Sequence, residues 1–400
     1  MKVLCVLGQH QYGCPRRGQG IEYVAFLPAL RRLGHTVLHF ESWNRSCYRD
    51  LAELNERLIA TVAAERPDVL LAVAFTEEVW LETIRLIGQM GVATICWATD
   101  DSWKYGEQSR FLGKAFQTMA TTYPEVVRKY QRDGIENVLV TQWAARADAM
   151  RPPLAARDCR YAVSFVGTTY GNRVQQVASL RRLGVDVECF GYGWPNGPVA
   201  EEDIPRIMRE SVISLNFANS RGANQIKART FEVPGAGGFL MTEYTPGLER
   251  FYQIGEEIDV FRTTEELGTK VRHYLEHPEK RDAVAQAGFD RTRREHTYDE
   301  RMREVVEFAL RHRPGATACS ITEEFQRAVG QHRLSSSLRC LGGALVALCR
   351  VVYGRERARQ AARRLVHEFS WRFLGEHTYT SRGWAGRMFP QWQERTRGAA

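Results

Sequence analysis

Two cations and a carboxylate stand directly before a cluster of glycines in the segment "QIKARTFEVPGAGGFLMTE", residues 225–243. The charged residues are Lys227, Arg229 and Glu232. Lysine and arginine form charge-assisted hydrogen bonds with a diphosphate, and a carboxylate can accept both hydroxyls of a ribose. The glycines that follow allow the backbone to pass close to a ligand; they are Gly235, Gly237 and Gly238. The spacing leaves a second interpretation open, in which the cations are solvated and Glu232 pairs with Arg229 at i, i+3.

Side chains suited to acid–base chemistry occur at two other places. Asp100 and Asp101 follow the apolar run "VATICWA", where one of them could act as a general base or orient an acceptor. The alternative is that they cap the helix that comes next. His10 lies in the glycine-flanked loop "GQHQYG" and is another candidate base. Glu22, at the start of the first predicted helix, could bind a hydroxyl or simply favour the helix dipole.

The elements that would position these residues follow a duplicated plan. "LRRLGHTVLHF" (30–40) and "LRRLGVDVECF" (180–190) share seven of eleven positions at an offset of 150. Each predicts the end of a helix, a glycine cap and then a strand. An apolar strand ending in glycine precedes each, at 2–8 and at 161–167. The pattern predicts the opening β-α-β unit of a Rossmann-like sheet twice over.

The rest of the chain continues this alternation of strands and helices. Further strands are predicted at 67–75, 92–98, 137–140, 211–217, 237–243 and 256–261. Helices are predicted at 49–65, 77–90, 264–276, 278–290 and 298–312. The segment 141–160, with two prolines, predicts a hinge. We therefore expect an α/β protein with Rossmann-like domains at 1–150 and 151–312, facing each other across a cleft, and a basic helical extension at 313–400.

Composition limits the function classes. The 400 residues are 44% apolar and 26% charged, which is typical of a globular protein with more than one domain. Nine scattered cysteines without a C-x-x-C pair indicate reduced thiols and a cytoplasmic location. The longest apolar run, "LGGALVALCRVVYG", contains an arginine, so no membrane-spanning segment is predicted.

The net charge of +8 is concentrated in the C-terminal tail. Residues 311–400 contain 16 Arg, no Lys and 6 Glu, a net charge of +10, which leaves about −2 for the remainder. Within the predicted helix 336–368, four arginines lie along one line, and Leu341, Leu345, Leu348 and Val352 lie opposite; the arginines are Arg339, Arg350, Arg357 and Arg364. Such a helix could dock on the body with its arginines outward. Alternatively, it could make a peripheral contact with the anionic inner face of a membrane or with an acidic partner.

Several motifs resemble one family of enzymes. "ARTFEVPGAGGFLMTEYTPGLERFY", with its R-x-F-E-x-P-x-x-G-G pattern, is similar to the C-terminal domain of CgeB-like glycosyltransferases, the spore-maturation-protein type of the group-1 class. The closing "EHTYDERMREV" and the loops "VSFVGTTYGNR" and "CFGYGWPNG" also resemble that domain. "GQGIEYVAFLPALRRLGHTV" and "WATDDSWKY" are more loosely similar to the N-terminal domain. The resemblance implies a GT-B fold and a nucleotide-diphosphate-sugar donor held mainly by the second domain.

Carried over residue by residue, the resemblance assigns the donor site. It implies that Glu232 binds the ribose and that Lys227 and Arg229 face the phosphates or the sugar. The remaining donor-site residues implied are Gly167, Thr168, Arg173, Tyr192, Trp194 and Gly235. Tyr192 or Trp194 would stack near the base, unless Trp194 packs on its own domain. One departure is Asn224, which stands where retaining members of the wider class carry a second acid, so the stereochemical outcome is not predicted.

The leading hypothesis is a metal-independent glycosyltransferase with no cofactor beyond its nucleotide-sugar co-substrate. No D-x-D motif stands out, and neighbouring carboxylates on a strand point to opposite faces, so no metal site is predicted. A nucleotide-sugar epimerase of GT-B type is an alternative, distinguished by needing no acceptor. A non-catalytic protein that binds through the arginine tail is another. The lack of lysine and of alternating aromatic and basic residues in that tail argues against nucleic acid as its partner.

Overall fold

The computed structural model describes residues 1–219, 225–317, 323–334 and 336–390. By its internal contacts the chain forms two compact units. The first is Met1–Gln142 together with the described residues from Met302 onward, and the second is Trp143–Arg301. The C-terminal extension is therefore part of the first unit rather than a unit of its own.

The first unit is built on a parallel sheet with the strand order β2-β1-β3-β4-β5-β6. Its strands are β1 (Lys2–Leu7), β2 (Thr36–Glu41), β3 (Val69–Ala72), β4 (Ala93–Ala98), β5 (Thr118–Thr121) and β6 (Val138–Val140). The helices between them are α1 (Ile21–Arg32), α2 (Leu51–Glu65), α3 (Leu81–Gln89), α4 (Asp101–Lys104), α5 (Arg110–Leu112) and α6 (Val127–Arg132). Strands β3 and β4 are buried along their whole length, as expected for the centre of a parallel sheet.

The second unit repeats this architecture with the strand order β11-β10-β9-β7-β8, again all parallel. Its strands are β7 (Tyr161–Val166), β8 (Glu188–Phe190), β9 (Ser211–Asn216), β10 (Leu240–Glu243) and β11 (Asp259–Phe261). Its helices are α7 (Arg173–Arg182), α8 (Ile204–Arg209), α9 (Arg229–Gly235), α10 (Thr264–Glu276) and α11 (Pro278–Glu295). The two parallel sheets confirm the predicted α/β fold class.

The duplicated sequence produces the same helix cap twice. After α1, the Gly34 N–H bonds to the Arg31 carbonyl and the His35 N–H to that of Leu30, both across 3.1 Å or less. After α7, Gly184 and Val185 bond in the same way to residues 181 and 180. Both glycines have φ near +80°, a conformation that glycine adopts without strain. The repeated "LRRLG" therefore encodes a Schellman cap that turns each helix toward its next strand.

After α11, the described residues form four more α-helices: α12 (Tyr298–Arg311), α13 (Glu323–Arg333), α14 (Ser336–Leu374) and α15 (Trp384–Met388). Helix α14 is interrupted at Gly354, whose φ of 74° and ψ of 170° are not helical. Side chains from both sides of this break, including Cys349 and Ala362, share one buried cluster with Met388 and Phe389. The two halves of α14 therefore pack together as a helical hairpin against α15.

Two predictions about this extension need correction. The four arginines face outward as predicted, but Leu341, Leu348 and Val352 are exposed as well. The face that packs carries Gly342 and Cys349 instead, because small side chains allow the helix to approach α15 closely. In addition, the segment Ser336–Tyr379 is long and apolar enough to cross a membrane by length and composition alone. The segment was not predicted from the sequence because arginines interrupt its apolar run.

Candidate functional site

In the second unit, two arginines flank the loop that follows β7. Arg229 Nε donates to the Val166 carbonyl at 3.3 Å, and Arg173 Nη1 donates to the Thr168 carbonyl at 3.1 Å. Gly167 lies between these two carbonyls. Arg173 also donates to the Phe217 carbonyl at 3.2 Å, at the end of β9. The backbone thus holds both guanidinium groups at the carboxyl edge of the sheet.

The surroundings of Arg173 favour the binding of an anion. Burial and the positive charge of Arg229 both lower its pKa, which means that its charged form is stabilised less well than in water. Its Nε is buried and has no hydrogen-bond partner among the described residues. No acidic residue lies in the first turn of α7, the helix that Arg173 begins. A bound anion would stabilise both guanidinium groups and the helix N-terminus.

Arg229 and Glu232 form an i, i+3 ion pair, as the second interpretation of this segment predicted. The Glu232 side chain remains 13% exposed, and it lies among further charges. Arg146 pairs with Asp148 at 2.7 Å and with Glu201 at 3.5 Å. Burial, and then the negative charge of Glu232, raise the pKa of Glu201. Sequence reasoning missed Arg146 and Glu201, because neither lies in a recognisable motif.

Two glycine-rich loops interlock beside the arginines. Gly191 has φ of 127°, and a Cβ there would lie 2.4 Å from the Gly167 carbonyl oxygen. At Gly193, a Cβ would lie 2.2 Å from the Thr169 hydroxyl. Trp194 donates its indole N–H to the Gly167 carbonyl at 2.8 Å. Trp194 thus packs on its own domain, which is the alternative the sequence left open, while Tyr192 beside it is half-buried.

Other predicted donor-site residues are placed as follows. Lys227 is half-buried just before α9, and Thr168 is exposed. Gly235 is buried, and a Cβ there would lie 2.4 Å from the Ala145 Cβ, so its lack of a side chain is explained by packing. Asn224 lies outside the described residues. Glu243, which the sequence did not single out, accepts hydrogen bonds from Gln176 at 2.7 Å and from the Asn219 N–H at 2.5 Å.

In the first unit, the two adjacent aspartates differ sharply. Asp101 is fully buried, and its carboxylate accepts a hydrogen bond from the Tyr130 hydroxyl at 2.8 Å. Burial raises its pKa against the effect of hydrogen bonds from Ser109 and Tyr130. This burial and this hydrogen bond favour a structural role for Asp101 over the predicted catalytic one. Asp100 is half-buried, and its side chain makes no capping bond to α4.

Glu22, at the same edge of the first sheet, has a carboxyl pKa that the fold shifts. It is 7% exposed, and burial raises its pKa to about 7, with a further increase from Asp100 that Lys104 partly offsets. Its Oε2 lies 3.5 Å from the position of a Cβ on Gly20, where the backbone of His10 also passes within 4 Å. His10 itself is half-buried and bridges to Gln19. Glu22, Asp100 and the His10 loop thus gather at the carboxyl edge of the first sheet.

We expect Glu22 to make the stability of the protein depend on pH. Because the native state binds the proton more tightly than the unfolded chain, the free energy of unfolding should fall as pH rises from about 4.5 to about 7. The fall should amount to about 3 kcal/mol, and Glu22→Gln should remove it. Urea titrations between pH 4.5 and 8 measure both. Glu125→Gln, at an exposed position of the same unit, is the control; equal slopes for wild type and Glu22→Gln would contradict the assignment.

Among the described residues, no group of three or more His, Cys, Asp or Glu side chains is arranged to hold a metal ion.

Part of the chain is similar in sequence to a known family. Residues 173–307 match the family model described as glycosyl transferase-like. No match was found among curated proteins.

Solved structures resemble most of the chain at low sequence identity. Sucrose-phosphate synthase from Thermosynechococcus elongatus is 9% identical, with a TM-score of 0.55 over 77% of this chain and 98% of its own. HepE from Anabaena, solved with UDP and glucose, is 13% identical, with a TM-score of 0.53 over 77% and 98%. A glycosyltransferase from Rickettsia africae is 12% identical, with a TM-score of 0.53 over 78% and 98%. With its two parallel sheets, the chain therefore has a GT-B fold extended by C-terminal helices.

Proposed function

We propose that this protein is a glycosyltransferase that takes a sugar from a nucleotide-diphosphate-sugar donor bound at the second unit. The observation that carries the proposal is the pair of guanidinium groups on either side of Gly167; the buried Nε of Arg173 has no hydrogen-bond partner among the described residues. Such a pair suits a diphosphate, which carries charge on several oxygens within reach of both. The match to a glycosyl transferase-like family and the likeness to HepE, solved with UDP, support the same conclusion.

Each side chain has a defined role in this reaction. An acceptor hydroxyl oxygen attacks the anomeric carbon, the bond from that carbon to the diphosphate breaks, and the nucleoside diphosphate leaves. Arg173 and Arg229 stabilise the negative charge that develops on the leaving diphosphate. Glu232 accepts hydrogen bonds from the ribose while it keeps its contact with Arg229. We further propose that no metal ion is needed, because the two guanidinium groups supply the positive charge.

Glu22 is proposed as the general base for the acceptor. A base works best when its pKa lies near the working pH, and burial brings the pKa of Glu22 to about 7. The surface nearby carries exposed aromatic rings, Tyr12 at 45% and Trp103 at 59% exposed. The Tyr12 ring lies 5.8 Å from that of Phe75, and the Lys104 ammonium lies 5.6 Å above the Phe75 ring. Such rings suit the apolar face of a sugar or an apolar aglycone.

Calorimetry with UDP, GDP, dTDP and ADP tests the donor site. We expect one nucleotide to bind, and Glu232→Ala to weaken it by about tenfold to a hundredfold, because a charge-assisted hydrogen bond is lost. Glu279→Ala, on the exposed surface of α11, is the matched control and should bind like wild type. If none of the four nucleotides binds to the wild type, the proposed donor site is wrong.

A further inference from the structure

The hairpin formed by α14 ends in a tip that makes no close packing with the rest of the described chain. All eight residues from 350 to 357 are exposed, on both sides of the break at Gly354. Exposure reaches 85% for Val351, 70% for Val352 and 52% for Tyr353. Arg350, Arg355 and Arg357 surround these three apolar side chains in sequence; we call residues 350–357 the hairpin tip. Three adjacent apolar side chains at a protruding bend form a surface that water solvates poorly.

Exposed apolar side chains also occur along both halves of the hairpin. Leu341 and Leu348 in the first half are 58% and 64% exposed, and Phe369 and Phe373 in the second half are 58% and 74% exposed. Eight of the eighteen large apolar side chains that are exposed among the described residues lie in α14, a concentration that suggests a partner rather than scattered surface residues.

Charge identifies the partner. Residues 336–390 contain ten arginines, three glutamates and no lysine or aspartate, whereas residues 1–310 are close to neutral. A second copy of this segment would bring two strongly positive surfaces together, so like-charge repulsion opposes a dimer through the tip. A bilayer with anionic lipids offers negative headgroups for the arginines and an apolar interior for the valines and the tyrosine.

The packing of the hairpin determines how it would meet the bilayer. Gly342 and Cys349 are buried, and the second half is tied to the body by Arg363, which pairs with Glu77 at 2.5 Å. Spanning the bilayer would pull these buried contacts apart. We propose that the hairpin tip inserts into the surface of an anionic membrane, with Val351, Val352 and Tyr353 below the headgroups and the arginines at their level. This goes beyond the proposed glycosyl transfer and does not depend on it.

Co-sedimentation of the full chain with vesicles tests the proposal. We expect binding to vesicles of phosphatidylcholine with 30% phosphatidylglycerol, a composition of about one anionic lipid in three, and much less to phosphatidylcholine alone. The triple change V351S/V352S/Y353S should weaken binding by about tenfold or more. The change R350Q/R355Q/R357Q should weaken it by on the order of a hundredfold at low salt, and by less as salt rises.

Matched variants in the second unit separate the tip from general surface effects. L183S/L275S changes two exposed apolar residues, and R157Q/R293Q changes two exposed arginines; both should bind vesicles like wild type. Equal loss with these controls would overturn the proposal. So would an absence of binding to anionic vesicles at low salt, or a protein that resists extraction at alkaline pH, as a spanning segment does. A dimer in solution that the tip variants disrupt would assign the tip to a second copy instead.

Discussion

Replacing Arg173 and Arg229 together by glutamine is expected to weaken binding of the nucleoside diphosphate by about a thousandfold. The double change removes two guanidinium groups whose combined charge faces the loop at Gly167. Each charge-assisted bond to a phosphate contributes about 1.5–3 kcal/mol, and the two add if they contact different oxygens. Turnover should fall at least as far, since the same groups stabilise the leaving diphosphate. Calorimetry and a donor-consumption assay measure the two effects.

Comparing a nucleoside with its diphosphate shows whether the two arginines bind phosphate or only shape the loop. The nucleoside that lacks phosphate should bind wild type and R173Q/R229Q with similar affinity, because neither arginine would contact it. Both arginines also donate to backbone carbonyls, so an equal loss for nucleoside and diphosphate would mean that they only shape the loop. Arg157→Gln, with a side chain 87% exposed on the same unit, controls for net charge.

Periodic features of the sequence predicted most of the fold. The predicted strands at 67–75 and 161–167 are found as β3 and β7, and the helix predicted at 264–276 has those bounds in the structure. Strand β5, "TMAT", was missed because half of its residues are polar threonines. These threonines are accommodated by hydrogen bonds between residues far apart in sequence, such as the bond from the Thr118 hydroxyl to the Thr94 carbonyl at 3.0 Å. The CgeB-like subtype stays a prediction.

The sequence predicted only those site residues that belong to a recognisable motif. Arg229 and Glu232 stood out because they share a short helix with a recognisable pattern. The contrast between Asp100 and Asp101 could not be predicted from two adjacent aspartates, because it depends on the hydrogen bond that the distant Tyr130 hydroxyl donates to Asp101. The raised pKa of Glu22 likewise arises from burial by residues distant in sequence. Tertiary burial, rather than residue type, decided which acidic groups remain available for chemistry.

A buried charge network attaches the C-terminal hairpin to the first unit. Glu77 is 1% exposed and accepts from Arg363 at 2.5 Å, with Arg45 at 3.5 Å from the same oxygen and His367 at 3.5 Å from the other. Burial alone would raise the pKa of Glu77, but the charges of Arg363, Arg45 and His367 outweigh it and hold this pKa well below the usual range. The carboxylate is thus the shared partner of two buried cations from distant parts of the chain.

Replacing Glu77 by alanine should lower the free energy of unfolding by about 3–5 kcal/mol, because two buried guanidinium groups lose their common partner. Urea unfolding measures this loss, and limited proteolysis should show earlier cleavage in α14. Glu376→Ala is the matched control, since Glu376 also joins the extension to the body, through Lys114 at 3.8 Å, but at the surface. This control should lower the free energy of unfolding by less than about 1 kcal/mol.

The stabilisation by Glu77 should depend on pH. In wild type its contribution to the free energy of unfolding is complete above its ordinary pKa of 4.5 and is lost as pH falls through its lower native pKa. Acid should therefore narrow the stability difference between wild type and Glu77→Ala, whereas a difference independent of pH would mean that lost packing, not lost charge, destabilises the variant.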